Sequence, residues 1–284
     1  MQYGFVLPSG EIRDFGEYAV AAEASGWDAL FIPDALAIET KSVPAFDWFD
    51  PWVVLAVMAE RTSRIKLGTM LTALPRRRPW KVAREVATLD HLSNGRMILP
   101  VGVGAAEDDG GFYKVGEAMD LKVRAQLMDE GLEIINGLWR GKPYSFSGEQ
   151  FTVQKMTQLP RPVQKPRIPL WVVGVWPKSK SVNRALRWDG IIVQAYREDK
   201  NKMPVTTPDD IRAIKQYVDT QRQKKAPFDI ITGGATPGKN RKKAAAIVQP
   251  FLAAGATWWL DDLWSANDKQ VILTRIKQGP PRVD

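Results

Sequence analysis

The stretch RIKLGTMLTALPRRRPWKVAREVATLDHLSNGRMILPVGVG, from Arg64 to Gly104, decides the fold. It opens on a strand, Ile65 to Ala73, and passes through a basic turn bounded by prolines, Pro75-Arg76-Arg77-Arg78-Pro79. A helix then runs to Asn94-Gly95, and a second strand, Arg96 to Val101, enters Gly102-Val103-Gly104. Two strands joined through one helix form a βαβ unit, which sets the strands parallel with the helix on one face. The loops Thr72 to Arg78 and Gly102 to Gly110 therefore open on one rim, the carboxyl-terminal rim where parallel α/β proteins bind ligands.

Working outward, composition narrows the chemistry. The 284 residues are 44% hydrophobic, enough for one large barrel or two small domains. With no cysteine and a single histidine, His91, the chain excludes disulfides, thiolate metal sites, cysteine nucleophiles and multi-histidine metal sites. No run of about 18 apolar residues occurs and the amino terminus enters strand-like sequence at once, so the expectation is a cytoplasmic chain without membrane span or secretory signal. Charge is uneven: residues 1 to 142 carry 16 Lys+Arg against 20 Asp+Glu, and residues 143 to 284 carry 24 against 12. The second half is the side expected to meet an anion. Nucleic acid is not the expected anion, because the basic residues are scattered and no reader motif accompanies them.

Strand and helix alternate along the chain. Strands are expected at Tyr3 to Leu7 and Ala29 to Ile32, with a helix from Asp14 to Ala24 stopped by Gly26 between them. Asp50-Pro51 combines an N-cap with proline at the first helical position and starts a helix to Arg61. After the βαβ unit the rhythm breaks with an insertion from about 105 to 168. There Leu121, Ala125, Met128, Leu132, Ile135 and Trp139 recur at helical spacing, and a β-ribbon turns at Ser147-Gly148. Strands resume at Leu170 to Gly174, Gly190 to Ala195, Phe228 to Thr232 and Thr257 to Leu260, each followed by a helix. Eight strand–helix pairs predict a single-domain (β/α)8 TIM barrel over residues 1–284, with its insertion after strand 4. A doubly wound dinucleotide fold is disfavoured, because Leu7-Pro8-Ser9-Gly10 lacks the spaced glycines.

Several motifs in order carry a resemblance: Leu67-Gly68-Thr69, Leu74-Pro75 with Pro79, Ala83 to Asp90, Leu92 to Arg96, Gly102-Val103-Gly104, and Pro160 to Gln164 before Ile168 to Val172. Together they resemble the bacterial luciferase-like monooxygenase superfamily, which holds FMN-dependent monooxygenases and oxidoreductases dependent on the deazaflavin coenzyme F-420. The resemblance implies a flavin or deazaflavin ring across the barrel mouth and a non-proline cis peptide in the third strand behind it, close to Met70-Leu71. It implies cofactor contacts from Gly102, Val103 and Gly104 and from Gly174, Val175, Trp176, Lys178 and Ser179. Arg76, within its arginine run, suits an anionic cofactor tail. Lys178, Lys180 and Arg184 tilt the expectation toward coenzyme F-420, whose tail is more negative than that of FMN. Relatives are commonly homodimers, and an FMN enzyme would draw reduced flavin from a separate reductase.

The chain departs from the family where many members carry a histidine after the second strand; here the pair is Asp34-Ala35. His91, at a helix end, is expected to be structural. Proton transfer then falls to Asp34 or to Glu107 in the acidic loop after the fourth strand. Trp48, Trp176 and Trp188 are the indoles expected around a small apolar or carbonyl substrate, because flat rings suit such a pocket. The reading is a flavin- or deazaflavin-dependent oxidoreductase whose Ala105 to Ala118 loop closes the mouth. Two alternatives stand beside it. One is a flavin-binding barrel without turnover, and the other is a barrel lyase or isomerase acting on sugar phosphates.

Overall fold

A computed structural model describes the chain apart from residues 9, 38–46, 105–110, 197–204, 224–225, 265 and 284. Eight barrel strands are present as nine segments, because the third is broken. They are β1 (Gln2–Val6), β2 (Ala29–Ile32), β3 (Lys66–Thr69) with β4 (Thr72–Ala73), and β5 (Leu99–Gly102). After the ribbon strands β6 (Tyr144–Ser147) and β7 (Thr152–Met156) come β8 (Leu170–Trp176), β9 (Gly190–Ala195), β10 (Asp229–Gly233) and β11 (Trp258–Asp262). The main sheet runs β3-β2-β1-β11-β10-β9-β8-β5-β4, all parallel. Since β3 and β4 are consecutive and Leu67 bridges to Met97, the sheet closes on itself. The TIM barrel expected from eight alternations is the fold observed.

The helices are α1 (Asp14–Ala24), α2 (Pro51–Arg61), α3 (Pro79–Leu92), α4 (Leu121–Leu138), α5 (Ser179–Leu186), α6 (Pro208–Gln221), α7 (Arg241–Ala253) and α8 (Lys269–Lys277). Local chemistry sets their starts. The Asp50 carboxylate accepts from Trp52 N and Val53 N at the head of α2, and Asp120 accepts from Val123 N at the head of α4. At α6, Thr207 and Asp210 form a capping box. Within the insertion, α4 packs on α3 and is tied to α5 by ion pairing of Asp129 with Arg184, so it serves as the barrel helix between β5 and β8. The ribbon is antiparallel, as its turn residues predict. None of the described helices is long and apolar enough to cross a membrane.

The third strand differs from the continuous run expected. It breaks at a cis Met70–Leu71 peptide, the position the family resemblance implied, and the Thr69 and Thr72 hydroxyls meet at 2.8 Å across the break. The fourth strand starts later than Arg96, because that residue is used elsewhere. Its guanidinium donates to the carbonyls of Ala59, Thr62, Ile65 and Ser93 and to the Thr62 hydroxyl, pinning the lower end of α2.

Strand alternation splits the core in two. One apolar layer lies between strands and helices, and the other fills the lumen with Val6, Phe31, Ile98, Trp171, Trp258 and Leu260 among others. Trp171 and Trp258 meet edge to face at 4.9 Å and plug the lower lumen, an arrangement that contributes about 1 kcal/mol beyond its buried area. Among the described residues this plug fills the lumen toward the amino-terminal end of the barrel.

Candidate functional site

Met70 and Val173 pack on top of the lumen cluster and form the floor of the mouth. Leu71 completes it: a Cβ built on Gly102 would lie 2.9 Å from Leu71 Cδ1 and 3.2 Å from Val173 Cγ2, so glycine at 102 makes room for this floor. Gly104 has φ +82°, and its turn is held from outside by Arg124 of α4. That buried guanidinium donates to the carbonyls of Val103 (3.0 Å) and Gly104 (3.2 Å). The glycine loop expected to approach a cofactor is thus a braced wall. Sequence reasoning missed Arg124, although Leu121 and Met128 at i−3 and i+4 place it beside the apolar face of α4.

The arginine run divides as three consecutive residues must. Arg76 is buried, with its guanidinium beside Gly104 and 5.1 Å from the Phe112 ring centre. Arg77 turns to Asp34 and forms an ion pair with it. The Asp34 side chain is fully covered, and its Oδ2 has no hydrogen-bond partner among the described residues. Burial pushes its carboxyl above the ordinary aspartate range, while the Arg77 charge pulls the other way. Asp34 is therefore placed to hold Arg77 at the rim. Glu107 lies outside the described residues, as does most of the loop expected to close the mouth.

The loop after β8 also has packing reasons for its sequence. A Cβ on Gly174 would fall 2.4 Å from Ile191 Cδ1, so the glycine admits the neighbouring strand. The Val175 N–H already donates to Ser181 Oγ at 3.0 Å. At the head of α5, the N–H groups of Ser179 and Lys180 have no intrahelical partner by helix geometry, and Lys178 supplies no side-chain cap. The Lys178 ammonium sits 3.8 Å from the Tyr196 ring centre. Arg184, expected to help with an anionic tail, is instead gripped by both oxygens of Asp129 (2.8 and 2.9 Å), because one turn into α5 it faces α4.

The three tryptophans do not meet. Trp188 precedes β9 and is buried at the amino-terminal end of the barrel, opposite the mouth, with Arg167 against its ring. Trp176 ends β8 on the outer parity and packs edge to face on Tyr217 of α6. Trp48 borders a cavity of about 20 Å³ with Leu7, Phe15 and Ile32, between the sheet and the helices, with room for one water at most. His91, at the end of α3, is exposed, and its Nε2 lies 2.8 Å from the Arg161 carbonyl.

Two polar side chains that the sequence did not single out do have lumen parity at the mouth. Gln194 follows Gly190 and Ile192 on β9 and is exposed. Asp262 follows Trp258 and Leu260 on β11 and pairs in register with Val6, itself a lumen residue. Burial and the neighbouring Asp261 charge push the Asp262 carboxyl up to about 6. Among the described residues no three His, Cys, Asp or Glu side chains converge as a metal site.

The fold and this mouth define a single-ended (β/α)8 barrel with an apolar floor, a braced glycine wall and a cationic rim. A family model described as luciferase-like monooxygenase matches residues 1–252, and the chain belongs to that family. It is similar to N-acetyl-S-(2-succino)cysteine monooxygenase of Bacillus subtilis (34% identity over 51% of this chain and 34% of that protein). It is also similar to F420-dependent glucose-6-phosphate dehydrogenase of Microbacterium testaceum (32% identity over 68% of this chain and 54% of that protein). The match thus spans about a third to about half of those relatives' lengths. In structure, the chain resembles the coenzyme F420-dependent tetrahydromethanopterin reductase of Methanopyrus kandleri over 98% of both chains, with TM-score 0.75 and 18% identity. An F420-dependent secondary alcohol dehydrogenase matches over 99% of this chain and 98% of its own, with TM-score 0.76 and 18% identity. At such identities these two likenesses speak for the fold.

Proposed function

We propose that this chain is an oxidoreductase that binds a flavin or deazaflavin, with coenzyme F-420 preferred, across the mouth and acts on a small carbonyl or hydroxyl substrate. The observation that carries this reading is the floor, where Met70 and Leu71 flank the break of the third strand and Gly102 leaves them space. A planar ring is matched by such an apolar surface. An anionic tail is matched by the free first-turn N–H groups of α5 and by the cations Arg77, Lys178 and Lys180. Bound there, the cofactor would supply hydride or oxygen chemistry, and the protein's share is binding, orientation and proton handling. Met70, Leu71 and Val173 support the ring, Gly102 to Gly104 wall it, and Asp34 keeps Arg77 aimed at the rim. Names of relatives support both cofactors, and several carry the deazaflavin.

Titration with FMN and, in parallel, with coenzyme F-420, read by tryptophan fluorescence, tests the proposal. Saturable binding of F-420 is expected. FMN binding alone would move the chemistry toward oxygen and a partner reductase. Binding of neither would overturn the reading, and binding without turnover by any electron acceptor would favour a non-catalytic barrel.

A further inference from the structure

The mouth holds one carboxyl that the fold leaves uncommitted. Asp261 and Asp262 are consecutive on β11, so their side chains take opposite faces of the sheet. Asp261 points outward, is fully buried, and pairs with Arg275 of α8 at 3.0 Å and with the Thr236 hydroxyl. Asp262 points to the lumen side, is half-buried, and has no hydrogen bond or ion pair among the described residues. Other carboxylates of the barrel are held on the fold: Asp90 accepts three bonds from Val163 and Gln164, and Asp229 accepts from Trp171 and Thr257. A carboxyl set in a binding mouth without a partner has a ligand as its remaining use.

We propose that Asp262 is the proton-exchanging carboxyl of the mouth, serving a hydroxyl or carbonyl group of the substrate held above Met70 and Val173. The proposal rests on the oxidoreductase reading. In the oxidising direction, the substrate O–H proton passes to the Asp262 carboxylate. A bound oxidised deazaflavin or flavin would supply the acceptor for the hydrogen on the same carbon, which would leave with its bonding pair, so that the C–O bond would become a carbonyl. In the reducing direction the neutral acid returns that proton to the carbonyl oxygen.

The surroundings suit this exchange. On β1 the neighbours are Val6 and Leu7, and on β10 Gly233 and Gly234, none of them charged. Arg275 lies on the outer face, where it is matched to Asp261, so among the described residues no cation is paired with Asp262. Burial and the Asp261 charge bring its proton affinity to about 6, close enough to neutrality for both forms to be populated. This is the setting that the histidine-free Asp34-Ala35 pair does not supply.

The test is a carboxyl carbon-13 NMR titration of the full chain labelled at aspartate, with Asp262→Asn assigning the resonance. A midpoint near 6 is expected, and a midpoint at the ordinary value of about 4 would overturn the proposal. The titration is repeated with saturating coenzyme F-420 and with saturating FMN, binding being followed independently by tryptophan fluorescence. A bound cofactor should move the midpoint by at least about half a unit. An unmoved midpoint under saturation would sink the role of Asp262 and leave the oxidoreductase reading standing. Failure of both cofactors to bind the wild-type chain would remove that reading and this proposal with it. Asp262→Glu guards against misfolding of the first variant, because it should keep a titrating carboxyl at the mouth.

Discussion

The two ends of the barrel treat polar groups in opposite ways. At the amino-terminal end the carboxylates and cations are spent on the fold. Glu23 caps the N–H groups of Ser63, Arg64 and Ile65, Arg96 collects carbonyls from three segments, and Asp189 holds Arg167 and Leu170 N. At the carboxyl-terminal end Asp262 lacks a partner among the described residues, and one oxygen of Asp34 does too. The lower lumen is plugged by indoles, whereas the upper lumen ends in Met70 and Val173. The amino-terminal end commits these groups to the fold, whereas the carboxyl-terminal end, where barrels of this class bind their ligands, leaves Asp262 without a partner among the described residues.

Mutations can break or sharpen that contrast. The largest effect is expected from Asp261→Ala, which strands the buried Arg275 guanidinium and should lower unfolding free energy by about 3–5 kcal/mol in urea melts. Arg96→Ala should follow, with a loss of about 3 kcal/mol and cofactor affinity within about threefold of wild type, since its bonds lie far from the mouth. A strong affinity loss there would break the contrast. Arg77→Met leaves Asp34 covered without its cation, so a loss of about 2 kcal/mol is expected at pH 8, shrinking as pH falls toward the raised range in which that buried carboxyl takes up a proton. It should also weaken cofactor binding.

The smallest effect reverses sign. Folded Asp262 holds its proton up to about pH 6, whereas the unfolded carboxyl loses it near about 4. The folded chain binds more protons within this window, so stability falls as pH rises through it. Asp262→Asn should therefore stabilise the chain by about 1 kcal/mol at pH 8 and by nothing at pH 4, water at the open mouth screening the rest. Thermal melts at the two pH values check this, and equal shifts at both would show that the carboxyl is not perturbed.

Much of the barrel was legible because local signals agree with the global fold. The Asp50-Pro51 start, the runs Asp14–Ala24, Ala29–Ile32 and Gly190–Ala195, and the insertion ribbon all stand where turn and capping residues put them. The site was legible only in part. Gly102 does lie against Leu71 beside the Met70-Leu71 break, but Arg184 is taken by Asp129, Trp176 faces α6, and Trp188 lies at the amino-terminal end. Each miss is a matter of direction. A strand residue changes face with each step, so a tryptophan at a strand end is as readily outside the barrel as in its mouth.

The sequence by itself determined the strand–helix alternation, the count that closes a barrel and the rim onto which the strand-end loops open, because periodicity and capping act over a few residues. Only the tertiary structure decided which side chains face that rim. The eighth strand was expected to stop at Leu260, short of Asp261 and Asp262. The structure extends β11 through Asp262, gives Asp261 to Arg275 and turns Asp262 inward. Pairing with β1 sets that register, through contacts between residues more than 250 positions apart that no local pattern records.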